Sequence, residues 1–397
     1  MDLAPEDTLR LNVLLRNAAA IRIDEQSMTV HGLSERGEAK VALNPSVRGD
    51  RYVRAVREFL SGQVLGSPGG YPVYLKRWTR MGNVTARALA ELLMLGEPEA
   101  VRAVVRSEGL SAELARRAWW AEPTADTARL LLAHEAVRGD PLGAELAAFL
   151  VDFLPFETDT QVIIDTVRAI LQPGLIDAAT RGGIWDKGAR HNAYRIGFLH
   201  ALADELPEPI APREDLPRHA ASLEAAAAGG NALAALLRKL LDAPGQTFLA
   251  ACAAVLRSPQ DQEAAVALVA CIAGYFDPAA GLLARGREAH ELVEEARALC
   301  RDPGLATGVR GEALRELLAA VPGLREEVAA MVFLGGLSED VLVPVFSQTD
   351  AVGSVMRRRL EPITTPVFEQ IARLCPDTAR PEHADPPRRG RRARRAP

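Results

Sequence analysis

Three short stretches near the start of the chain alternate apolar and polar residues with the two-residue period of a strand: Ala20–Asp24, Met28–Leu33 and Glu38–Leu43. Short polar turns separate them, so the pattern predicts a small antiparallel sheet. Helical spacing predicts one helix before the sheet, over Pro5–Ala19, and another after it, over Arg51–Leu60.

From Val84 onward the hydrophobic spacing changes to the period of a helix, and short helices follow one another with short connections. Asn231–Leu241 shows this most clearly, because its leucines recur at i, i+3, i+4, i+7 and i+8. Thr158 and Gln161 have the spacing of a capping box and predict a helix that starts at Thr158. Helix pairs recur at roughly forty residues, but no residue signature recurs with them.

The sequence therefore predicts a mainly α protein, an irregular α-helical array that is either solenoid-like or built as paired bundles, with a small N-terminal α+β element. Leu206–Pro217 has four prolines in twelve residues and predicts a domain boundary. The predicted divisions are the α+β element at 1–83, a helical array at 84–206, a Pro-rich linker at 207–221, a second helical domain at 222–376 and a disordered Arg-rich tail at 377–397.

Composition and charge narrow the class of protein. Hydrophobic residues make up 48% and charged residues 25%, as in globular proteins. The net charge is −5, yet Pro386–Pro397 carries six Arg and no acid. The rest of the chain is therefore more acidic still, which disfavours binding along a phosphate backbone outside the tail.

Three features predict a cytoplasmic location without membrane insertion. The opening residues MDLAPEDTLR lack the basic region of a signal peptide. The longest apolar run, Ala264–Phe276, is shorter than the roughly eighteen residues that a membrane span needs. The four cysteines lie far apart without a C-x-x-C motif, which argues against a disulfide framework or a zinc site.

No motif for catalysis is present. The chain lacks a phosphate-binding loop, a dinucleotide fingerprint and a G-x-S-x-G nucleophile elbow. His290–Glu294 has half of an H-E-x-x-H motif, but Glu294 stands where the second histidine ligand belongs, so a solvated helix face is the interpretation. The sequence predicts no catalytic residue, no cofactor and no metal.

Two clusters combine aromatic and cationic residues. The first lies in Ser67–Gly82, and a surface for bases or for an acidic partner is one interpretation of it. The alternative is that its aromatic residues cover the sheet while its cations reach into solvent. The second cluster is Arg116–Trp120, where adjacent residues point about 100° apart, so at most one indole faces the core fully. Core packing is the alternative there. The candidate binding surface comprises Tyr71, Tyr74, Lys76, Arg77, Trp78, Arg80, Arg117 and Trp120.

Several phrases carry a family resemblance: SPGGYPVYL at Ser67–Leu75, RWTRMG at Arg77–Gly82, LGEPEAV at Leu95–Val101, LARRAWWA at Leu114–Ala121 and VDFLPFE at Val151–Glu157. Over about its first 209 residues the chain resembles the sulfur reduction protein DsrS family, which accompanies the reverse-acting dissimilatory sulfite reductase of sulfur-oxidising bacteria. The resemblance implies a cytoplasmic accessory protein with no assigned activity and no cofactor. The Arg-rich tail departs from it.

Three hypotheses follow. The first is a non-catalytic interaction protein that docks to components of a sulfur-oxidation system. The second is a nucleic-acid-binding regulator that uses Tyr71–Arg80 and the Arg-rich tail. The third is an enzyme of unrecognised type, which would need a pocket that gathers His191, His200 or Cys271.

Overall fold

A computed structural model describes residues 3–66, 85–284, 286–347 and 353–379. The fold is mainly α with a small N-terminal three-stranded sheet, which confirms the predicted fold class. The described chain divides into two compact units. The N-terminal unit comprises Met1–Thr158 with Asp165–Ala178, and the C-terminal unit comprises Asp159–Ile164 with Ala179–Pro397.

The described elements up to the unit boundary are α1 (Pro5–Asn17), β1 (Ala20–Asp24), β2 (Thr29–Ser34), β3 (Gly37–Ala42), α2 (Gly49–Leu65), α3 (Ala86–Leu92), α4 (Pro98–Val105), α5 (Ala112–Ala121), α6 (Ala125–Leu132), α7 (Glu135–Arg138) and α8 (Pro141–Phe153). The next helix, α9 (Thr160–Ile170), contributes residues to both units.

The later helices are α10 (Ala178–Lys187), α11 (Asn192–Ala201), α12 (Leu216–Ala228), α13 (Ala232–Leu241), α14 (Ala243–Leu256), α15 (Gln262–Tyr275), α16 (Ala289–Arg301), α17 (Gly308–Ala320), α18 (Arg325–Gly335), α19 (Val343–Phe346) and α20 (Gly353–Leu374). Short 3-10 turns connect several of them.

The sheet is antiparallel with the strand order β1-β2-β3. One face packs on α1 and α2, because alternate strand residues turn Ile21, Val30 and Val41 toward Leu11 and Leu14. Glycine at position 32 permits this contact, since a Cβ atom there would lie 2.7 Å from Leu14 Cδ1. The predicted sheet and its flanking helices are confirmed: β1 has the predicted ends, and the ends of the other elements differ by at most five residues.

The C-terminal unit is built around α18, which is buried on nearly all sides from Val328 to Gly335. The Gln246 side chain connects neighbouring helices, because its Nε2 donates to the Leu240 carbonyl (2.7 Å) and to the Leu374 carbonyl (2.9 Å). The leucine stripe predicted for α13 is confirmed, since all five leucines are buried.

Residues 207–221, predicted from sequence as a Pro-rich linker, lie within the C-terminal unit, and α12 starts at Leu216. Arg213 holds this segment in place. Its backbone N–H donates to the Leu241 carbonyl at 2.9 Å, and its guanidinium pairs with Asp215 and with Glu327 of α18.

Two helix boundaries differ from the prediction for identifiable reasons. The expected start at Thr158 is wrong: α9 starts at Thr160, and the Asp159 carboxylate accepts a hydrogen bond from the Val162 N–H at 2.8 Å. For the last helix, hydrophobic spacing in the sequence predicts only Pro366–Leu374, but α20 starts at Gly353 and continues through Pro362 and Pro366. Its buried apolar side chains offset the backbone hydrogen bonds that the prolines remove.

Candidate binding surface

Six of the eight predicted surface residues, Tyr71, Tyr74, Lys76, Arg77, Trp78 and Arg80, lie outside the described residues, as does the Arg-rich segment after residue 379. Their roles stay predictions. The other two, Arg117 and Trp120, lie on α5 in the N-terminal unit and are both half-buried. Arg117 pairs with Glu113 one turn earlier on the same helix.

Trp120 packs against the sheet rather than entering the core. The guanidinium carbon of Arg22 on β1 lies 5.0 Å from the centre of its ring, and Arg22 Nη1 lies 3.4 Å from its carbonyl oxygen. The neighbouring Trp119 is also half-buried. The expectation that at most one of the two indoles faces the core fully is confirmed.

A cluster of charged side chains covers the sheet face that carries Arg22. The Glu38 carboxylate lies 2.6 Å from His31 Nδ1, 3.6 Å from Lys40 Nζ and 3.8 Å from Arg22 Nη2. The hydrogen bond with His31 holds the pKa of Glu38 below its usual value against the opposing effect of burial. Arg22 therefore has a carboxylate on one side and an indole ring on the other.

The two tryptophans border an open cleft of about 400 Å³ between α5 and the start of α8. Arg116 closes one side and donates to both Asp140 oxygens at 2.7 Å. This contact lowers the pKa of Asp140. On the other side, Trp119 Nε1 donates to the Glu145 carboxylate at 3.0 Å.

Trp119 also begins a row of four aromatic rings, which we call the aromatic ridge: Trp119, Phe149, Phe153 and Phe156. Trp119 meets Phe149 edge to face at 5.0 Å between ring centres, Phe149 stacks on Phe153 at 6.0 Å, and Phe153 lies 6.2 Å from Phe156. Exposure increases along the row, to 41% at Phe153 and 75% at Phe156. An exposed row of aromatic rings on a helix is typical of a binding surface.

The charged residues that α8 contributes beside the ridge are all acidic. α8 carries two acids, Glu145 and Asp152, and no Lys or Arg, and both carboxylates belong to exposed residues. Near the far end of the ridge, Arg129 is largely buried and pairs with Asp126 and Glu157. No surface role was predicted from the sequence for Phe149, Phe153 or Phe156.

Side chains considered for catalysis or metal binding have structural contacts. His290 and Glu294 are exposed on α16, in agreement with the solvated helix face predicted for them. Asp204 accepts a hydrogen bond from Tyr275 and pairs with Lys239. Cys271 is buried, as are the other three cysteines, and none of these four described residues forms a disulfide.

Among residues 3–66, 85–284, 286–347 and 353–379, no group of three or more His, Cys, Asp or Glu side chains could hold a metal ion. In those same ranges no single helix is both long and apolar enough to cross a membrane. One bent pair, Pro322–Gly335 with Glu339–Phe346, reaches that length only across an 85° bend.

Comparison of the chain with models of protein families, with curated proteins and with solved structures found no match.

Proposed function

We propose that this protein is a cytoplasmic, non-catalytic accessory protein of dissimilatory sulfur oxidation that docks a protein partner on the aromatic ridge. The main observation in support of this docking surface is that Phe153 and Phe156 are exposed. Complete burial of a phenylalanine side chain is worth about 1.5–3 kcal/mol, so a partner that covers both rings gains substantial affinity from them. The assignment to sulfur oxidation rests on the family resemblance of the sequence.

The charge pattern defines the partner's surface further. Glu145 and Asp152 flank the ridge from α8 without a cation on the same helix. Carboxylates at the rim of an apolar patch favour a partner whose own rim carries Lys or Arg, chiefly by raising the association rate. We therefore expect association to slow as salt is added, while the contact with the rings sustains the complex.

The test uses the tagged full-length protein, incubated with an extract of a sulfur-oxidising bacterium, and identifies captured proteins by mass spectrometry. The ridge variant is the double change Phe153→Ala and Phe156→Ala. The matched control is Leu305→Ala with Val309→Ala, because those apolar side chains are exposed by 63% and 82% and belong to the C-terminal unit.

The proposal requires that the wild type and the control capture a component of the sulfur-oxidation system and that the ridge variant does not. If the ridge variant captures the same proteins as the wild type, the ridge is not the docking surface. Capture that depends on the ridge but contains no sulfur-oxidation component would remove the assignment to that process.

A further inference from the structure

Strand β3 lies at the edge of the sheet and presents backbone hydrogen-bonding groups that no described residue pairs with. Residues of an antiparallel strand alternate between pairing with the neighbour and pointing outward. The Leu43 N–H donates to the Met28 carbonyl at 2.9 Å, which sets the phase of this alternation. The N–H and C=O groups of Glu38, Lys40 and Ala42 therefore point away from β2, and among the described residues no backbone group pairs with them.

The opposite edge of the sheet is partly covered. On β1, the outward N–H of Ile21 donates to the Leu93 carbonyl at 2.9 Å. The two edges thus differ. The β1 edge has a hydrogen-bond partner from the chain itself, whereas residues 37 to 40 and 42 on β3 are exposed. An exposed edge is a template on which another extended segment can pair.

An apolar groove of about 410 Å³ lies between this edge and α1. Leu9 and Val13 form its helix side and are exposed by 67% and 57%, while Ala39 and Val41 line its strand side. The Lys40 ammonium does not fill it. Lys40 lies opposite His31 in the register, on the face away from α1, and its ammonium is 3.6 Å from the Glu38 carboxylate.

We propose that an extended segment of a protein partner pairs with β3 as a fourth strand and places apolar side chains, two residues apart, in the groove beside α1. The backbone edge selects an extended chain, because a helix has no free backbone groups along its length to offer it. The groove selects apolar side chains on one face of that chain, since alternate strand residues point to the same side. This site is separate from the aromatic ridge and does not depend on it.

The probe is a phage-displayed library of peptides of about eight residues, with Val, Ile, Leu or Phe at every second position, selected against the full-length protein. Enriched sequences are synthesised with a fluorophore, and their dissociation constants are measured by fluorescence anisotropy. Hydrogen exchange of the complex is followed by mass spectrometry, and the segment from Gly37 to Ala42 is expected to gain protection.

Lys40→Pro is the decisive variant. Proline removes one outward N–H but leaves the pairing of β3 with β2 intact, since prolines are tolerated at the outer edge of a sheet. The loss of one hydrogen bond predicts about tenfold weaker peptide binding, and the ring adds a steric obstacle. Lys40→Ala is the control, because it removes the ammonium and keeps the N–H. Val13→Ser tests the groove and is also expected to weaken binding.

Two N-methylated versions of the peptide provide a matched test and control. N-methylation of an amide that faces β3 is expected to abolish binding, whereas N-methylation of the next amide, which faces solvent, is expected to leave it unchanged. Circular dichroism and the melting temperature confirm that each protein variant is folded.

Selection that yields no binding peptide overturns the proposal. So do peptides that bind Lys40→Pro as tightly as wild type, since they occupy another surface. A wild-type dimer that Lys40→Pro converts to a monomer would assign the edge to a second copy of this chain instead. The Phe153→Ala, Phe156→Ala variant is expected to bind the peptides normally, so the two docking proposals can fail separately.

Discussion

Replacing Tyr52 with phenylalanine removes one hydroxyl from the core of the N-terminal unit, and the hydrogen bonds of that hydroxyl join α2, which carries Tyr52, to α1. Tyr52 is 1% exposed, and its hydroxyl donates to the Asp7 carboxylate at 2.5 Å. Asp7 is fully buried on α1 and also accepts hydrogen bonds from the backbone and side-chain nitrogens of Asn44 (2.8 and 3.2 Å). The same Tyr52 oxygen accepts from the Ala4 N–H at 3.2 Å.

The size of the expected loss of stability follows from these hydrogen bonds. A hydrogen bond to a charged group contributes about 1.5–3 kcal/mol to stability, and the ring of phenylalanine fills almost the same volume. We therefore expect Tyr52→Phe to lower the free energy of unfolding of the N-terminal unit by about 1.5–3 kcal/mol. Asn44→Ala is expected to cost less, about 0.5–1.5 kcal/mol, because its backbone N–H remains.

The difference in free energy of unfolding between wild type and Tyr52→Phe is expected to depend on pH in one direction. Burial, together with the hydrogen bond to Asp7, raises the pKa of Tyr52. The tyrosine therefore contributes its full stabilisation below the unfolded-state pKa of about 10, and the contribution declines as the pH rises above that value. The difference between wild type and Tyr52→Phe should narrow above about pH 10.

Hydrogen exchange of α1 and α2, measured by mass spectrometry across a urea series, reports the free energy of opening of these two helices themselves. A double-mutant cycle of Tyr52→Phe with Asp7→Ala measures the coupling directly. A Tyr52→Phe loss below about 0.5 kcal/mol, or a coupling near zero, would refute the reasoning.

Three further outcomes are expected. Gly32→Ala should destabilise the protein by about 1–3 kcal/mol in urea denaturation, because the new Cβ would overlap Leu14. The pKa of Glu38 is lowered by His31, so the contribution of this carboxylate is complete above the unfolded-state value and is lost as the pH falls through the folded-state value. The stability difference between wild type and Glu38→Gln should therefore shrink below about pH 4. Burial raises the pKa of Cys375 to about 11, so iodoacetamide at pH 8 should label this thiol only after unfolding, as measured by peptide mass.

The sheet and the leucine-rich helices were predictable because their hydrophobic periods are unambiguous. The aromatic ridge was not, although its spacing was visible. Phe149, Phe153 and Phe156 recur at i, i+4 and i+7, and the same spacing describes a stripe that faces a core. Only the packing of α8 decides which face is covered, and it leaves Phe153 and Phe156 exposed.

Other differences come from competition between local signals. A proline normally ends or kinks a helix, yet tertiary packing maintains α20 across both Pro362 and Pro366. At α9, a carboxylate one residue after Thr158 provides the cap. The outward groups of β3 could not be located from sequence, because the phase of hydrogen bonding depends on the register with β2.

The presence of a sheet in an otherwise helical chain has a physical consequence for binding. Inside a helix the backbone groups are paired within the helix, so helical surfaces recognise partners through side chains alone, which is the mode we propose for α5 and α8 at the ridge. A sheet edge adds recognition by the backbone, which does not require particular side chains. In the N-terminal unit, Arg22 contacts both Glu38 of β3 and the ring of Trp120 on α5, so the exposed edge strand is joined to the helix that begins the ridge. Because partner binding at the edge would use backbone groups while binding at the ridge would use its rings, the two are expected to be nearly additive, and a measured coupling above about 1 kcal/mol would contradict that expectation.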